Sequence, residues 1–139
     1  MQDAFRRDRG PFTYCSAVDR FCAWYPTIIY ETNYTTNRKL VASASVTVPT
    51  GVDPSILSVE LAKNGSTPTG ASWITNPGNS PGSWAFSGDS ITLGDTDQSI
   101  VTGIQLGTYT IAPAIRLQFN SLPLPGTYSA VVTFTIKAE

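Results

Sequence analysis

The chain has 139 residues, only 14% of them charged, and its formal net charge is -1. A chain of this length fits one domain and buries roughly two thirds of its unfolded surface. Nine basic and ten acidic residues nearly balance, so there is no long-range field to attract nucleic acid or an anionic membrane. We therefore expect no nucleic-acid partner. Thr, Ser, Gly and Pro fill many polar positions, which is typical of an extracellular or particle-borne β-protein.

The N-terminal sequence, residues 1–9, leaves two origins open. It lacks the apolar stretch of a signal peptide, and no apolar run in the chain approaches the roughly 20 residues that span a bilayer. Either Met1 is the native start of a protein made in the cytosol, or it precedes a mature chain that began at Gln2. We expect no membrane insertion. The expected location is either a virion or the outside of the cell, including the cell surface.

Residues 1–25 show no two-residue alternation of apolar and polar side chains, and we interpret them as an irregular N-terminal arm. An arm that packs on its own domain or on a neighbouring molecule is one interpretation, and a solvated arm is the other. The residues that we expect to make an assembly contact are aromatic or basic: Phe5, Arg6, Arg7, Arg9, Phe12 and Tyr14.

Cys15 and Cys22 are the two cysteines of the chain. A disulfide between them closes a short loop and contributes about 2–3 kcal/mol in the chain-entropy description. Small domains outside the reducing cytosol commonly carry such a bridge, so we favour a disulfide over two buried thiols. The chain has no histidine, which disfavours a metal site on the two cysteines.

The β-pattern begins at Pro26. Short apolar and β-branched runs separated by Gly, Pro, Asn or Asp predict strands. Asn64-Gly65 predicts a hairpin turn because both positions tolerate a positive φ. The Pro- and Gly-rich residues 67–82 predict a loop long enough to be functional. The predicted strands are 27–35, 40–48, 56–62, 83–86, 90–93, 99–104, 108–111, 114–119 and 127–137.

The last predicted strand, 127–137, has the most regular alternation. One face carries Tyr128, Ala130, Val132, Phe134 and Ile136, while the other face is polar except for Val131. This pattern is typical of a strand that buries one face. Seven to nine such strands without a helical period predict an all-β fold, an immunoglobulin-like or jelly-roll β-sandwich over residues 26–139, with an open barrel as the alternative.

The segment Pro125-Gly-Thr-Tyr-Ser-Ala-Val-Val-Thr-Phe-Thr-Ile136 resembles the closing strand of spore-coat-U-type and related fimbrial subunits. These immunoglobulin-like domains commonly end in Gly-Thr-Tyr followed by alternating Val and Thr. The resemblance covers about a tenth of the chain. It implies subunits linked by an extended N-terminal segment that completes a neighbour's sheet.

The residue types argue against catalysis. Without histidine, the usual serine or cysteine nucleophile arrangements lack their general base. Asp89, Asp95 and Asp97 lie close together in the sequence and are most simply turn residues, with Ca²⁺ binding or a glycosidase pair as alternatives. We predict no enzyme activity, no catalytic or metal residue, and no cofactor.

Trp73 and Trp84 flank the Pro/Gly-rich loop. Exposed together, they provide a flat face for a partner protein or a sugar ring. Buried, they close one end of the sandwich, which is the commoner fate of tryptophan. We favour the buried arrangement, so a glycan is a minor alternative.

These observations favour a structural protein that binds other copies of itself or a scaffold protein. The first hypothesis is a virion β-sandwich subunit, a capsid decoration or tail-associated protein, docked through its arm. The second is a secreted pilus or cell-surface fibre subunit that assembles by strand addition. A carbohydrate-binding adhesin module is a further alternative.

Overall fold

A computed structural model describes residues 14–16 as backbone, and residues 21–75 and 78–139 with their side chains. The described chain is almost entirely β-structure, which confirms the predicted all-β, sandwich-like fold. Its strands are β1 (Tyr14–Ser16), β2 (Phe21–Trp24), β3 (Ile28–Thr32), β4 (Arg38–Thr47), β5 (Leu57–Ala62), β6 (Thr69–Gly70), β7 (Pro81–Trp84), β8 (Ser90–Leu93), β9 (Gln98–Ile104), β10 (Gly107–Ile111), β11 (Ala114–Phe119) and β12 (Ser129–Ala138).

The strands form three antiparallel sheets. The first has the order β1-β2-β11-β5-β8, the second β12-β4-β9-β7, and the third, a small sheet, β3-β10-β6. Side chains from all three sheets contribute to one apolar core. A 3-10 turn, Pro54–Ile56, precedes β5, and the Asp53 carboxylate caps it by accepting the Ser55 N–H at 3.0 Å. This hydrogen bond lowers the pKa of Asp53.

The alternation predicted for the last strand is confirmed. Ala130, Val132 and Phe134 of β12 are at most 8% exposed, whereas Val131 is 44% exposed. The strand therefore buries one face and leaves the other, Thr- and Ser-rich face in solvent, as a period of two requires.

Strand β4 departs from its predicted alternation at Val41. The sequence pattern places Val41 on the outer face, but its side chain is 2% exposed, as buried as its neighbours Leu40 and Ala42. The pairing of β4 with β9 shifts register between Arg38 and Leu40 and again between Leu40 and Val41. Such an irregularity re-aims a side chain, so three consecutive residues reach the core.

The Asn64-Gly65 turn forms, but the predicted hairpin is wrong. Asn64 has φ 55° and Gly65 has φ 68°, and the Ser66 N–H donates to the Lys63 carbonyl at 3.0 Å. The positive φ expected at both positions is therefore confirmed. After the turn the chain continues into β6, which pairs with β10. Strand β5 pairs with β8 and β11, so the strands on either side of the turn do not pair with each other.

The prediction of irregular structure is wrong for Phe21–Trp24. These residues form β2, which pairs with β11, and Ala23 is 0% exposed. Four residues are too few to display an alternation in the sequence, and the pairing partner lies about 90 residues away in the chain. The predicted boundary after residue 25 therefore separates β2 from the sheet to which it belongs.

Two buried tyrosines, Tyr30 and Tyr109, lie opposite each other on neighbouring strands of the small sheet. The Tyr30 and Tyr109 ring centroids lie 5.7 Å apart, and both residues are 0% exposed. The Tyr30 hydroxyl donates to the Pro81 carbonyl at 2.7 Å, and the Tyr109 hydroxyl lies 2.7 Å from the Leu106 carbonyl. Burial raises the pKa of both phenols, and the neighbouring Tyr109 raises that of Tyr30 further.

We expect the free energy of unfolding to fall as the pH rises above about 10. Above this pH the unfolded chain releases the Tyr30 and Tyr109 protons while the folded chain keeps them. Deprotonation therefore stabilises the unfolded state relative to the folded state. Urea unfolding from pH 8 to pH 11 measures the slope. Tyr30→Phe should unfold at lower urea at pH 8, because the Pro81 carbonyl loses its donor, and should show a shallower loss at high pH. An unchanged slope in Tyr30→Phe contradicts this explanation.

Candidate functional site

The residues predicted for the assembly arm fall mostly outside the described structure. Phe5, Arg6, Arg7, Arg9 and Phe12 are not described, and Tyr14 is described only as backbone. The backbone of Tyr14 begins β1 and lies opposite Ala23 of β2. The arm contact therefore stays a prediction.

Cys15 and Cys22 are direct partners in the β1–β2 register. Opposite residues of an antiparallel pair bring their Cβ atoms to about 4.5–5.5 Å, close to the separation that a disulfide requires. The register is therefore compatible with the predicted disulfide, which itself stays a prediction.

The two tryptophans flanking the long loop have different surroundings. Trp84 is half-buried against the core, its Nε1–H donates to the Ser66 carbonyl at 2.9 Å, and its ring lies 5.6 Å from Phe86 in an edge-to-face arrangement. Trp73 is 62% exposed. Trp84 thus has the structural role that we favoured, whereas Trp73 presents its ring to solvent. The two rings do not form a platform of two exposed indoles.

The aspartates of the β8–β9 region act in turns and ion pairs. The Asp97 carboxylate lies 2.9 Å from Lys137 Nζ, and the Asp89 carbonyl accepts the Lys63 N–H at 2.8 Å. Asp95 is exposed. Within residues 21–75 and 78–139, no three His, Cys, Asp or Glu residues come close enough together to hold a metal ion.

A polar pocket of about 540 Å³ lies at the end of the small sheet. Its lining includes Glu31, Asn33, Asn79 and Thr108, and Glu31 accepts a hydrogen bond from the Thr108 hydroxyl at 3.2 Å. The Glu31 carboxylate is therefore already occupied by a neighbour. The pocket lining offers hydroxyl, amide and carboxylate groups.

A strongly exposed apolar stretch lies within the connection between β11 and β12, at residues 121–126, which we call the leucine loop. Its Leu122 is 79% exposed and its Leu124 is 61% exposed. The prolines at 123 and 125 lack a backbone N–H, so this stretch cannot continue a sheet that could bury the leucines. Alternating Leu and Pro was thus a signal of exposed apolar residues that the sequence interpretation did not use.

Contacts at both ends hold the leucine loop in place. Asn120 Nδ2 donates to the Ser55 carbonyl at 2.7 Å, and the Tyr128 hydroxyl donates to the Leu124 carbonyl at 2.7 Å. The Tyr128 ring also packs edge-to-face on Phe119 at 5.0 Å. A loop anchored in this way presents its two leucines at low entropic cost.

A groove of about 540 Å³ opens between β4 and β8 near the same end of the molecule. Strand β4 pairs with β9 only as far as Ala42, and beyond it the Ala44 N–H donates to the Gly94 carbonyl at 2.7 Å. The groove lies along this part of β4, and its apolar lining residues are Ala44, Val46, Leu57, Val59 and Leu93.

The outer edge of β12 is a fourth candidate surface. All ten residues of β12 pair with β4 in an unbroken register, and β12 is the last strand of its sheet. Among the described residues no strand pairs with its other edge. A backbone edge of this kind can accept another strand.

Comparison of the chain with protein-family models, with curated proteins and with solved structures finds no match. In the described residues, no helix has the length and apolar character needed to cross a membrane.

Proposed function

We propose that the protein is a non-enzymatic structural subunit of a larger assembly, and we favour a virion subunit, a capsid decoration or tail-associated β-sandwich. Its partners are other copies of itself or a scaffold protein of the particle. The observation that carries the proposal is the leucine loop, with Leu122 79% and Leu124 61% exposed.

Exposing two leucines is unfavourable unless a partner covers them. Burial of each side chain contributes about 1.5–3 kcal/mol. Adjacent exposed apolar side chains on a polar surface are typical of contact sites. Because Asn120 and Tyr128 fix the loop, a partner that covers the leucines orders little additional chain.

The N-terminal arm supplies the second proposed contact. Phe5 and Phe12 are apolar anchors, and Arg6, Arg7 and Arg9 can pair with acidic groups of a neighbour. Docking of the arm on another molecule needs no catalytic group, which agrees with a sequence that has no histidine.

The double variant Leu122→Asp/Leu124→Asp tests the leucine loop. We expect the full-length chain to form discrete oligomers and the variant to form smaller ones, because two carboxylates cannot be buried in an apolar contact. Light scattering at several protein concentrations measures the mass. Thermal unfolding should be nearly unchanged, since both side chains are exposed in the subunit.

Trp73→Ala is the matched control, because Trp73 is similarly exposed but lies in the loop between β6 and β7. It should assemble like the unmodified chain. Equal masses for the unmodified chain and the leucine variant contradict a role of the leucine loop in assembly.

A fibre subunit at the cell surface, assembling by strand addition, is the second candidate. The groove beside β4 favours it, because the backbone edge of β4 beyond Ala42 borders an open groove of about 540 Å³ whose lining is part apolar and part polar. Electron microscopy distinguishes the two candidates: closed oligomers support the virion subunit, and filaments support the fibre subunit.

A carbohydrate-binding module is the third candidate, favoured by the 62% exposure of Trp73. Indole rings stack on sugar rings, so a module of this kind should lose glycan binding in Trp73→Ala. A glycan array with both proteins tests it. Binding that depends on Trp73, together with a monomeric chain, replaces the assembly proposal.

A further inference from the structure

Strand β12 differs from the other edge strands of the described chain. The other edge strands have two to five residues: β1 has three, β3 five, β6 two, β7 four and β8 four. Strand β12 has ten residues, contains no proline and pairs without a register shift. Short strands, prolines, bulges and charges normally protect sheet edges from further pairing. Strand β12 has none of the first three.

Charge does not protect this edge either. Lys137 is the one ionisable side chain within β12, and its Nζ is paired with Asp97 at 2.9 Å. The remaining outward-facing side chains are Ser129, Val131, Thr133 and Thr135, all uncharged. A second strand can therefore approach without like-charge repulsion.

Hydrogen bonding shows which backbone groups of β12 are available. The Ala44 N–H donates to the Gly94 carbonyl, away from β12, so Ala44 and its partner Val132 form a pair without mutual hydrogen bonds. Because N–H and C=O of one residue point to the same side of a strand, those of Val132 point to the open edge. The unbroken register extends this to every second residue: Ala130, Val132, Phe134, Ile136 and Ala138.

We propose that β12 pairs antiparallel with β12 of a second copy, about a two-fold axis at Thr133, so that two four-stranded sheets join into one. The proposal rests on the proposed function, and it names a partner and an edge for that assembly. A two-fold axis perpendicular to the sheet keeps both cores on the same side and allows only a register that is symmetric about one residue.

The side chains favour Thr133 as that residue. This register sets Thr133 against Thr133, Val131 against Thr135 and Ser129 against Lys137 of the second copy, and pairs of β-branched residues stabilise a sheet. It gives Val131, the exposed apolar residue of the outer face, a β-branched neighbour. A register centred on Phe134 sets Val131 against the charged Lys137 instead.

The backbone is satisfied in the same register. Ala130 exchanges two hydrogen bonds with Ile136 of the second copy, and Val132 does so with Phe134, and both pairs occur twice by symmetry. These are residues whose N–H and C=O groups point to the open edge. Their side chains are already in or against the core, so the new contact consists of backbone bonds and outer-face side chains.

Charge exchange at Thr133 tests the axis. Thr133 of one copy lies directly opposite Thr133 of the other in a close pair without hydrogen bonds, so Thr133→Lys and Thr133→Glu each oppose like charges. We expect each variant alone to raise the dissociation constant roughly a hundredfold. Sedimentation of each variant, made in the full-length chain and measured from about 1 µM to about 1 mM, should give half the mass of the unmodified chain at the same concentration. An equimolar mixture of the two variants should recover it, since Lys then faces Glu.

Thr69→Lys is the control, because Thr69 is an exposed threonine on β6, the edge of another sheet, and this variant should keep the full mass. The proposal is overturned if Thr133→Lys keeps the full mass or if the mixture does not recover it. Should Thr133→Lys keep the mass while Leu122→Asp/Leu124→Asp lowers it, the β12 pairing falls and the proposed function stands. A full-length chain that is monomeric at every concentration overturns both forms of self-assembly.

Discussion

Phe134→Ala should lower the free energy of unfolding by about 3–5 kcal/mol, the range measured when a buried phenylalanine is truncated. Phe134 is 2% exposed and is among the largest fully enclosed side chains of the described core. It lies opposite Ala42 of β4, another core residue, so little side-chain volume is at hand to fill the cavity.

Urea unfolding of Phe134→Ala beside Val131→Ala measures this effect. Val131 lies on the same strand but points outward with 44% exposure, so its truncation should change stability by less than about 0.5 kcal/mol. Equal losses for the two variants would mean that β12 does not bury the face assigned to it.

Gly82→Ala should destabilise the protein by about 2–5 kcal/mol, because two costs combine there. Gly82 has φ +88°, a conformation that L-residues rarely adopt. A Cβ atom at this position lies 2.6 Å from the Thr102 carbonyl oxygen and 2.6 Å from Val101 Cγ1. Strand β7 can therefore approach β9 only with glycine at this position.

Gly51→Ala separates the two costs. Gly51 has nearly the same backbone, with φ +86°, but a Cβ atom at this position has no other atom within 4 Å. Thermal or urea unfolding should show a loss of about 1 kcal/mol for Gly51→Ala and a clearly larger loss for Gly82→Ala. If both variants lose the same amount, the close approach of β7 to β9 contributes nothing.

Local patterns predicted strands better than they predicted partners. The bounds of β8 and β11 agree with the predicted 90–93 and 114–119, because Asp and Gly flank the first run and Pro and Asn flank the second. The burial of Val41 depends on a register shift against β9, and the fate of the Asn64-Gly65 turn depends on the strand that accepts the next segment. Both are non-local events that a period of two cannot contain.

Of the candidate surfaces, only the features that depend on local sequence were predictable. The structural role of Trp84 follows from the usual burial of tryptophan, and Ser66 provides the acceptor for its N–H. The leucine loop was missed because exposed and buried leucines look alike in a sequence without a strand pattern around them. The open edge of β12 depends on sheet order, which places β12 outermost. The sequence of β12 alone does not indicate its position in the sheet.

The most direct test of the assembly proposal is the mass in solution of the full-length chain beside a chain that lacks residues 2–13, measured by light scattering at several concentrations. We expect the full-length chain to form discrete oligomers. The shortened chain should keep β1 and a cooperative unfolding transition but form smaller oligomers, because the arm contact is lost while the leucine loop and the edge of β12 remain. Two monodisperse monomers of the same fold would contradict the proposal that this protein is an assembly subunit built from copies of itself.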